Sequence, residues 1–326
     1  MTTRACLRSA AVATLAVASL LFALPEAAMA QAVATPAPAA SAVLPAEGDG
    51  PALWVVRDAD STLYLFGTVH VLRPTTAWGS AKVDAAFSGA SDVYFEISNP
   101  DDQAAMMPLI QQYGVSPQTP LSSLLTPAEL ADLDTAAKTI GASAAQLDPL
   151  RPWLAALSLA MAPLVKAGYD PMSGVEMILK AKALADGKSV HGFETIDEQV
   201  RVLATLSEEA QLQFLRSTLG SFDHAATELD TMVGAWAAGD VATIQSVGVD
   251  ELKTEAPAIY DALLTRRNAG FADDIQRLLA GSGVAFIAVG ASVILLRLRE
   301  PNRPRVFSTP IWQVVAPAGI LGCLYL

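Results

Sequence analysis

Residues 63–74 read LYLFGTVHVLRP, and the interpretation of the whole chain starts from this stretch. Its first five residues form an apolar run of the length of a buried strand, and the run ends at Gly67. His70, one of three histidines in the chain, comes three residues later. Open α/β sheets place their chemistry in the crevice outside the carboxyl ends of the strands. His70 is therefore a candidate site residue, although a histidine after a strand is also typical of a hydrogen-bonded structural residue.

Other predicted strands carry polar groups or glycine at their ends. Glu96 and Glu194 each lie near the carboxyl end of a predicted strand, and a third strand leads into Gly290. A carboxylate inside an apolar strand is costly unless it is paired or coordinated. If these strands are parallel neighbours, one imidazole and two carboxylates meet at one edge of one sheet. The predicted strands are residues 53–57, which form a hairpin with 63–67, and then 92–97, 189–194 and 284–289.

The segments between these strands have a helical pattern. Residues 78–89 predict a short helix, and residues 100–184 predict several more. Thr126 to Glu129 reads as a capping box with proline at the first helical position. Helices between strands at these spacings suit parallel crossovers, so the sequence predicts an α/β fold with a mixed or mostly parallel sheet and flanking helices.

Composition limits the class of partner. The chain has 326 residues, is 52% hydrophobic and carries a formal net charge of -12. This acidic balance argues against nucleic acid or an anionic membrane surface, since both attract basic patches. Gly-rich phosphate loops, H-E-x-x-H, G-x-S-x-G and paired-cysteine metal spacings are missing from the sequence.

The amino terminus predicts export. Arg4 and Arg8 precede an apolar segment, and Ala28-Met29-Ala30 forms an A-x-A cleavage site, so residues 1–30 read as a signal peptide. An uncleaved anchor is the alternative. The mature protein is expected in a periplasm or outside the cell, with no membrane span. Cys6 would leave with the signal peptide, so Cys323 would have no intrachain partner.

Residues 31–50 are rich in Ala, Pro and Ser and read as a linker before the folded domain. The imidazole and carboxylates predicted at the strand ends are ligand types suited to Mn, Co or Zn, and a metal-activated water is the simplest chemistry for such a set. His191 and His224 are weaker candidates: His191 lies inside a strand, and His224 lies in a predicted loop.

At these residues the sequence resembles the TraB/GumN family, which includes the pheromone-shutdown protein PrgY and is related to the Tiki metalloproteases. The resemblance covers residues 51–292, most of the mature chain, through short motifs in a specific order. The matching residues are Leu53-Trp54, Tyr64 to His70, Glu96, Arg151-Pro152-Trp153, Gly174-Val175-Glu176, Gly187-Lys188, Gly192 to Thr195, Gln199, Arg267-Asn268 and Val289 to Ser292.

The resemblance implies an EreA/ChaN-like α/β fold of two related halves, each with one Gly-x-x-His motif. In the Tiki branch, the histidines and a glutamate are tied to Mn- or Co-dependent peptide cleavage. Carried over, His70 would be a metal ligand, Glu96 a ligand or general base, and Glu194 a ligand or a carboxylate that orients one. Arg267 would stabilise an oxyanion, and a surface ion pair is the alternative for this arginine.

The sequence departs from the family pattern after Ser292, where Val293 replaces the expected second histidine. Residues 293–326 are also atypical, because they contain four arginines, four prolines and one acidic residue. A reading-frame shift near Ser292 would explain both facts, and a genuine divergent tail, with apolar residues 311–326 as a membrane or partner contact, is the alternative. Loss of one ligand should weaken a metal site, so inactivity of the chain as written is an open alternative even if its relatives are enzymes.

Three functions remain open from the sequence. The first is an exported metal-dependent hydrolase that cleaves peptides or proteins at the edge of its sheet. The second is a non-catalytic envelope protein that binds and sequesters a peptide or a surface factor. The third is a structural envelope protein whose polar groups at the strand ends only satisfy the backbone.

Overall fold

The structure is a computed structural model that describes residues 43–290. The expected signal peptide, both cysteines, Val293 and the tail 293–326 lie outside the described residues. The predictions made for those segments therefore stay predictions.

One five-stranded sheet organises the described part of the chain, and a two-stranded sheet lies apart from it. The seven strands are β1 (Leu44–Pro45), β2 (Leu53–Arg57), β3 (Ser61–Thr68), β4 (Ala77–Gly79), β5 (Asp92–Ile97), β6 (Ser189–Glu194) and β7 (Gly283–Gly290). The large sheet has the order β2-β3-β7-β5-β6, in which only β2 runs antiparallel to its neighbour. This arrangement confirms the predicted α/β class with a mixed, mostly parallel sheet.

Helices flank the large sheet and fill the connections between its strands. The α-helices are α1 (Ala81–Gly89), α2 (Gln103–Tyr113), α3 (Pro127–Thr139), α4 (Ala144–Leu147), α5 (Pro152–Lys166), α6 (Val175–Ala185), α7 (Ile196–Ala204), α8 (Glu208–Ser221), α9 (Ala225–Ala237), α10 (Val241–Thr243), α11 (Glu251–Glu255), α12 (Pro257–Tyr260) and α13 (Arg267–Leu279). Two 3₁₀ turns cover Leu121–Ser123 and Pro171–Ser173, and two π-helical segments cover Ile244–Asp250 and Asp261–Arg266.

The continuous apolar run of β3 follows from its position in the sheet. β3 pairs with β2 along one edge and with β7 along the other, and separate apolar clusters cover its two faces. Strands that are buried on both faces read as uninterrupted apolar segments. Side chains such as Phe66 and Leu63 accordingly lie in different cores, a large one on one face and a smaller one against α13 on the other.

The register brings the carboxyl ends of four strands to one edge. Thr68 of β3 pairs with Gly290 of β7, and Ile97 of β5 pairs with Glu194 of β6. β7 is the last strand in the described chain, yet it lies in the middle of the sheet between β3 and β5. Open sheets with parallel neighbours commonly carry their sites at such an edge.

The prediction of a helix over residues 78–89 is wrong at its start. Ala77–Gly79 is strand β4, which pairs with Leu44–Pro45 inside the stretch that composition assigns to the linker. Trp78 packs its ring 6.2 Å from that of Phe66 and 5.8 Å from that of Trp236, so tertiary aromatic contacts override the local helical pattern. Within residues 43–290, no helix is long and apolar enough to cross a bilayer.

Candidate functional site

The three residues predicted to form the site meet at the carboxyl edge of the sheet. His70 lies two residues beyond the end of β3, and Glu96 and Glu194 lie at the ends of β5 and β6. His70 Nε2 is 3.9 Å from Glu96 Oε1, and both side chains are buried. Glu96 and Glu194 share one cationic partner, Arg267. The sheet therefore brings the predicted residues together, and their chemical roles stay predictions.

Arg267, the first residue of α13, lies between the two carboxylates. Its Nη2 is 2.6 Å from Glu96 Oε2 and 2.7 Å from Glu194 Oε2, and its Nε donates to Glu194 Oε1 at 2.9 Å. The side chain is only 8% exposed, so the alternative of a surface ion pair is wrong. Burial opposes its charge, but Glu96 and Glu194 outweigh burial and raise the pKa of Arg267.

Glu96 is held from both of its oxygens. Its Oε1 accepts the backbone N–H of Gly290 at 2.8 Å, and its Oε2 accepts from Arg267 and from the Gln199 amide at 3.2 Å. Burial alone would raise the pKa of Glu96, but Arg267 and His70 act in the opposite direction, and its pKa is lowered. Glu96 is therefore a buried carboxylate that stays ionised at neutral pH. The same Gln199 amide also donates to Glu194 Oε2, at 3.1 Å.

A third carboxylate contacts His70 from the side away from Glu96. Glu176, in the first turn of α6, places its Oε2 3.0 Å from His70 Nδ1, and its Oε1 accepts the hydroxyl of Thr68. Burial alone would lower the pKa of His70, but the charges of Glu176 and Glu96 outweigh burial and Arg267, and they raise it to about 9. In this arrangement the imidazole is a cation between two carboxylates at neutral pH.

Backbone contacts fix the segment that carries His70. The indole of Trp236 donates to the carbonyl of Gly67 at 2.7 Å, and the N–H of Val175 donates to the carbonyl of Val69 at 3.0 Å. Three residues after His70, Arg73 donates to the carbonyl of Ala167 at 2.9 Å and pairs with Asp230. The position of the imidazole is thus set by α6 and α9 as well as by β3.

Sequence reasoning missed the site positions of Glu176, Gln199 and Thr68. Glu176 and Gln199 stand in segments that carry the family resemblance, which was the available signal. Glu176 was overlooked because an acidic residue in the first turn of a helix is ordinarily explained by the helix dipole. Thr68 lies inside the Gly67-to-His70 motif but has no distinguishing pattern of its own.

The two other histidines lie outside the cluster. His191 is half-buried, stacks on Tyr94 with ring centroids 4.5 Å apart, and places Nε2 3.0 Å from Asp92. His224 is exposed at the start of α9. Neither side chain contacts the carboxylates at the sheet edge, so His70 supplies the imidazole of this site in the described residues.

The donor atoms only partly match the predicted metal site. His70 Nε2 and Glu96 Oε1 face each other, and nitrogen with carboxylate oxygen suits Mn, Co or Zn. Glu194 instead directs both oxygens at Arg267. Over residues 43–290, no group of three or more His, Cys, Asp or Glu side chains is arranged to hold a metal ion.

Comparison with known proteins agrees with the family resemblance that the sequence motifs indicate. An uncharacterized protein of Treponema pallidum (strain Nichols) is 21% identical over 251 residues, which cover 73% of this chain and 75% of that protein. No solved structure matches the chain. The sequence profile of the TraB/PrgY/gumN family matches residues 52–295. The chain belongs to the TraB/PrgY/gumN family.

Proposed function

We propose that the protein is an exported, metal-dependent hydrolase of peptide bonds, with its reaction at the carboxyl edge of the sheet. The observation that supports this proposal is the convergence of His70, Glu96, Glu194 and Arg267, which come from four separate parts of the chain. Burying one imidazole, two carboxylates and a guanidinium together is costly compared with apolar packing. Clusters of ionisable groups with perturbed pKa values at the edge of a sheet are typical of functional sites.

In this proposal His70, through Nε2, and Glu96, through Oε1, would hold the divalent metal, which would replace the proton on Nε2. When bound, the ion supplies a Lewis acid and an activated water. Glu96 is suited to its part because Arg267 and Gln199 hold Oε2, while Oε1, which accepts the N–H of Gly290, is also the oxygen that faces His70. Arg267 keeps Glu96 ionised and limits charge repulsion between Glu96 and Glu194. Glu194 orients Arg267, so it acts through the guanidinium and not as a direct ligand.

The test is a metal analysis of the purified mature chain after loading with Mn or Co and dialysis. We expect bound metal in the wild type and its loss in His70→Ala, whereas His191→Ala, the matched control away from the cluster, keeps it. A Val293→His variant, which restores the second family motif, should bind metal more tightly. Equal metal content in the wild type, His70→Ala and Val293→His would contradict the proposal.

Activity is tested separately by incubating the loaded protein with a mixed peptide library and detecting new termini by mass spectrometry. We expect cleavage that Glu96→Gln abolishes. Metal binding without any cleavage, in the wild type and in Val293→His, would remove the hydrolase assignment and leave a metal-binding protein.

A non-catalytic protein that binds and sequesters a peptide or a surface factor is the second candidate. The observation in its favour is that Arg267 and Gln199 each donate hydrogen bonds to both Glu96 and Glu194 without an added cation. The two candidates differ in their response to metal. The enzyme is favoured if Mn raises the melting temperature, EDTA lowers it, and His70→Ala removes both effects. The binding protein is favoured if neither Mn nor EDTA changes the melting temperature.

A further inference from the structure

Glu176 contacts Nδ1 of His70, the ring nitrogen that has no part in the proposed reaction. Its Oε2 lies 3.0 Å from Nδ1, whereas Nε2 faces Glu96 at 3.9 Å. Both His70 and Glu176 are buried, at 7% and 9% exposure. A buried carboxylate at this position costs desolvation free energy that an apolar residue would not. Its contact with Nδ1 therefore calls for a role beyond packing.

The backbone around Glu176 is built for close approach to His70. Val175, the preceding residue, bonds through its N–H to the carbonyl of Val69. At Gly174 a side chain is excluded, because a Cβ there would lie 2.1 Å from the carbonyl oxygen of His70. Glycine thus allows the start of α6 to touch the His70 segment, and this contact sets the reach of Glu176.

Thr68 helps to fix the orientation of the Glu176 carboxylate. Its hydroxyl donates to Oε1, so Oε2 is the oxygen directed at Nδ1. A carboxylate oxygen 3.0 Å from Nδ1 favours a proton on that nitrogen, because two lone pairs at this distance would repel each other. The opposite nitrogen, Nε2, then faces Oε1 of Glu96 at 3.9 Å.

We propose that Glu176 is a positioning residue that fixes the rotamer of His70 and keeps a proton on Nδ1, so that Nε2, which faces Glu96, is the nitrogen left for the site. The value of this presentation to catalysis rests on the proposed function, but the orientation itself does not. Histidines that serve through one ring nitrogen are commonly held in this way by a carboxylate on the other. Thr68 supports this orientation through its hydrogen bond to Glu176, and Gly174 supports it by allowing the start of α6 to approach His70.

The state of the ring is measured by long-range proton–nitrogen NMR on protein labelled with ¹⁵N-histidine, in EDTA. Three histidines give three ring systems, which His191→Gln and His224→Gln assign. In the wild type we expect His70 Nδ1 to be protonated throughout the accessible pH range. In Glu176→Gln we expect Nδ1 to lose its proton in part of the population, as the Nε2–H tautomer becomes available.

Glu208→Gln is the matched control, because Glu208 is an exposed glutamate in the first turn of another helix, α8. It should leave the His70 signals unchanged. Thr68→Val, which keeps the Glu176 contact but removes its hydroxyl donor, should shift them in the same direction by less. If Glu176→Gln does not fold, Thr68→Val still decides the question.

Unchanged His70 signals in folded Glu176→Gln, or in folded Thr68→Val where the first does not fold, would overturn the inference. Metal titration is the second readout: removal of a carboxylate behind a histidine ligand typically weakens metal affinity about 10- to 100-fold. If the wild type binds no metal, the proposed function fails while the NMR result still decides the role of Glu176.

Discussion

His70 and His191 each place a ring nitrogen 3.0 Å from a carboxylate, but the surroundings of the two pairs differ. The side chains of His70 and Glu176 are 6% and 11% exposed, whereas those of His191 and Asp92 are 40% and 38% exposed. Water and salt weaken the exposed pair, and burial makes the inner pair strongly dependent on its partners. An equal distance therefore does not mean equal energy, and burial separates the candidate site from an ordinary surface contact.

The same contrast exists between two successive arginines and gives the largest expected effect. Arg267→Met should destabilise the fold by about 3–5 kcal/mol, because it leaves Glu96 and Glu194 buried without their shared cation. Arg266 is the matched control: its pair with Asp261 is mostly exposed, so Arg266→Met should cost under about 1 kcal/mol. Urea unfolding measures both, and equal losses would show that burial does not distinguish the two pairs.

The raised pKa of His70 predicts a loss of stability at alkaline pH. A group whose pKa rises from 6.5 to about 9 on folding binds its proton more tightly in the folded state. Its contribution is then fully present below pH 6.5 and is lost as the pH rises to about 9, with a magnitude of about 3 kcal/mol. Urea unfolding across pH 6–9.5 in EDTA should show this decline in the wild type and in His191→Gln. A decline of the same size in His70→Gln would mean that another group causes it.

Gly174 offers a smaller perturbation that acts only on the buried pair. Gly174→Ala should destabilise by about 1–3 kcal/mol, because the new methyl group meets the backbone of His70 and the first turn of α6 must move. Gly234→Ala is the control, since a Cβ there meets nothing within 4 Å and the residue lies inside α9. That change should be neutral or stabilising by up to about 1 kcal/mol. Thermal unfolding with opposite signs for the two variants would support the close-approach argument.

Loss of the exposed pair between His191 and Asp92 should have the smallest effect on the free energy of unfolding. Asp92→Asn should cost about 0–1 kcal/mol, and the loss should shrink further at 1 M salt, where charges are screened over about 3 Å. Urea unfolding at low and high salt measures this difference. A salt-independent loss of several kcal/mol would place the His191 pair in the same class as the buried one and remove the contrast.

Local patterns predicted most of the elements around the site. Apolar runs located β3, β5, β6 and β7 to within two residues, and both hydrogen bonds of the Thr126–Glu129 capping box are present. These signals succeed because strand length, alternation and capping depend on neighbours in the sequence. The failure at Trp78 has the opposite cause, since its partners Phe66 and Trp236 are distant in sequence.

The sequence by itself determined which residues end the strands, and with them His70, Glu96 and Glu194 as candidates. Only the tertiary structure decided the partners: Arg267 between the two carboxylates and Glu176 behind the imidazole. The physical reason is separation along the chain, since Arg267 and Glu96 are 171 residues apart and no local pattern encodes their contact. The strand order that inserts β7 between β3 and β5 brings these ends together. Residues that carry no distinguishing local pattern in the sequence therefore form a buried, charged network in the folded protein.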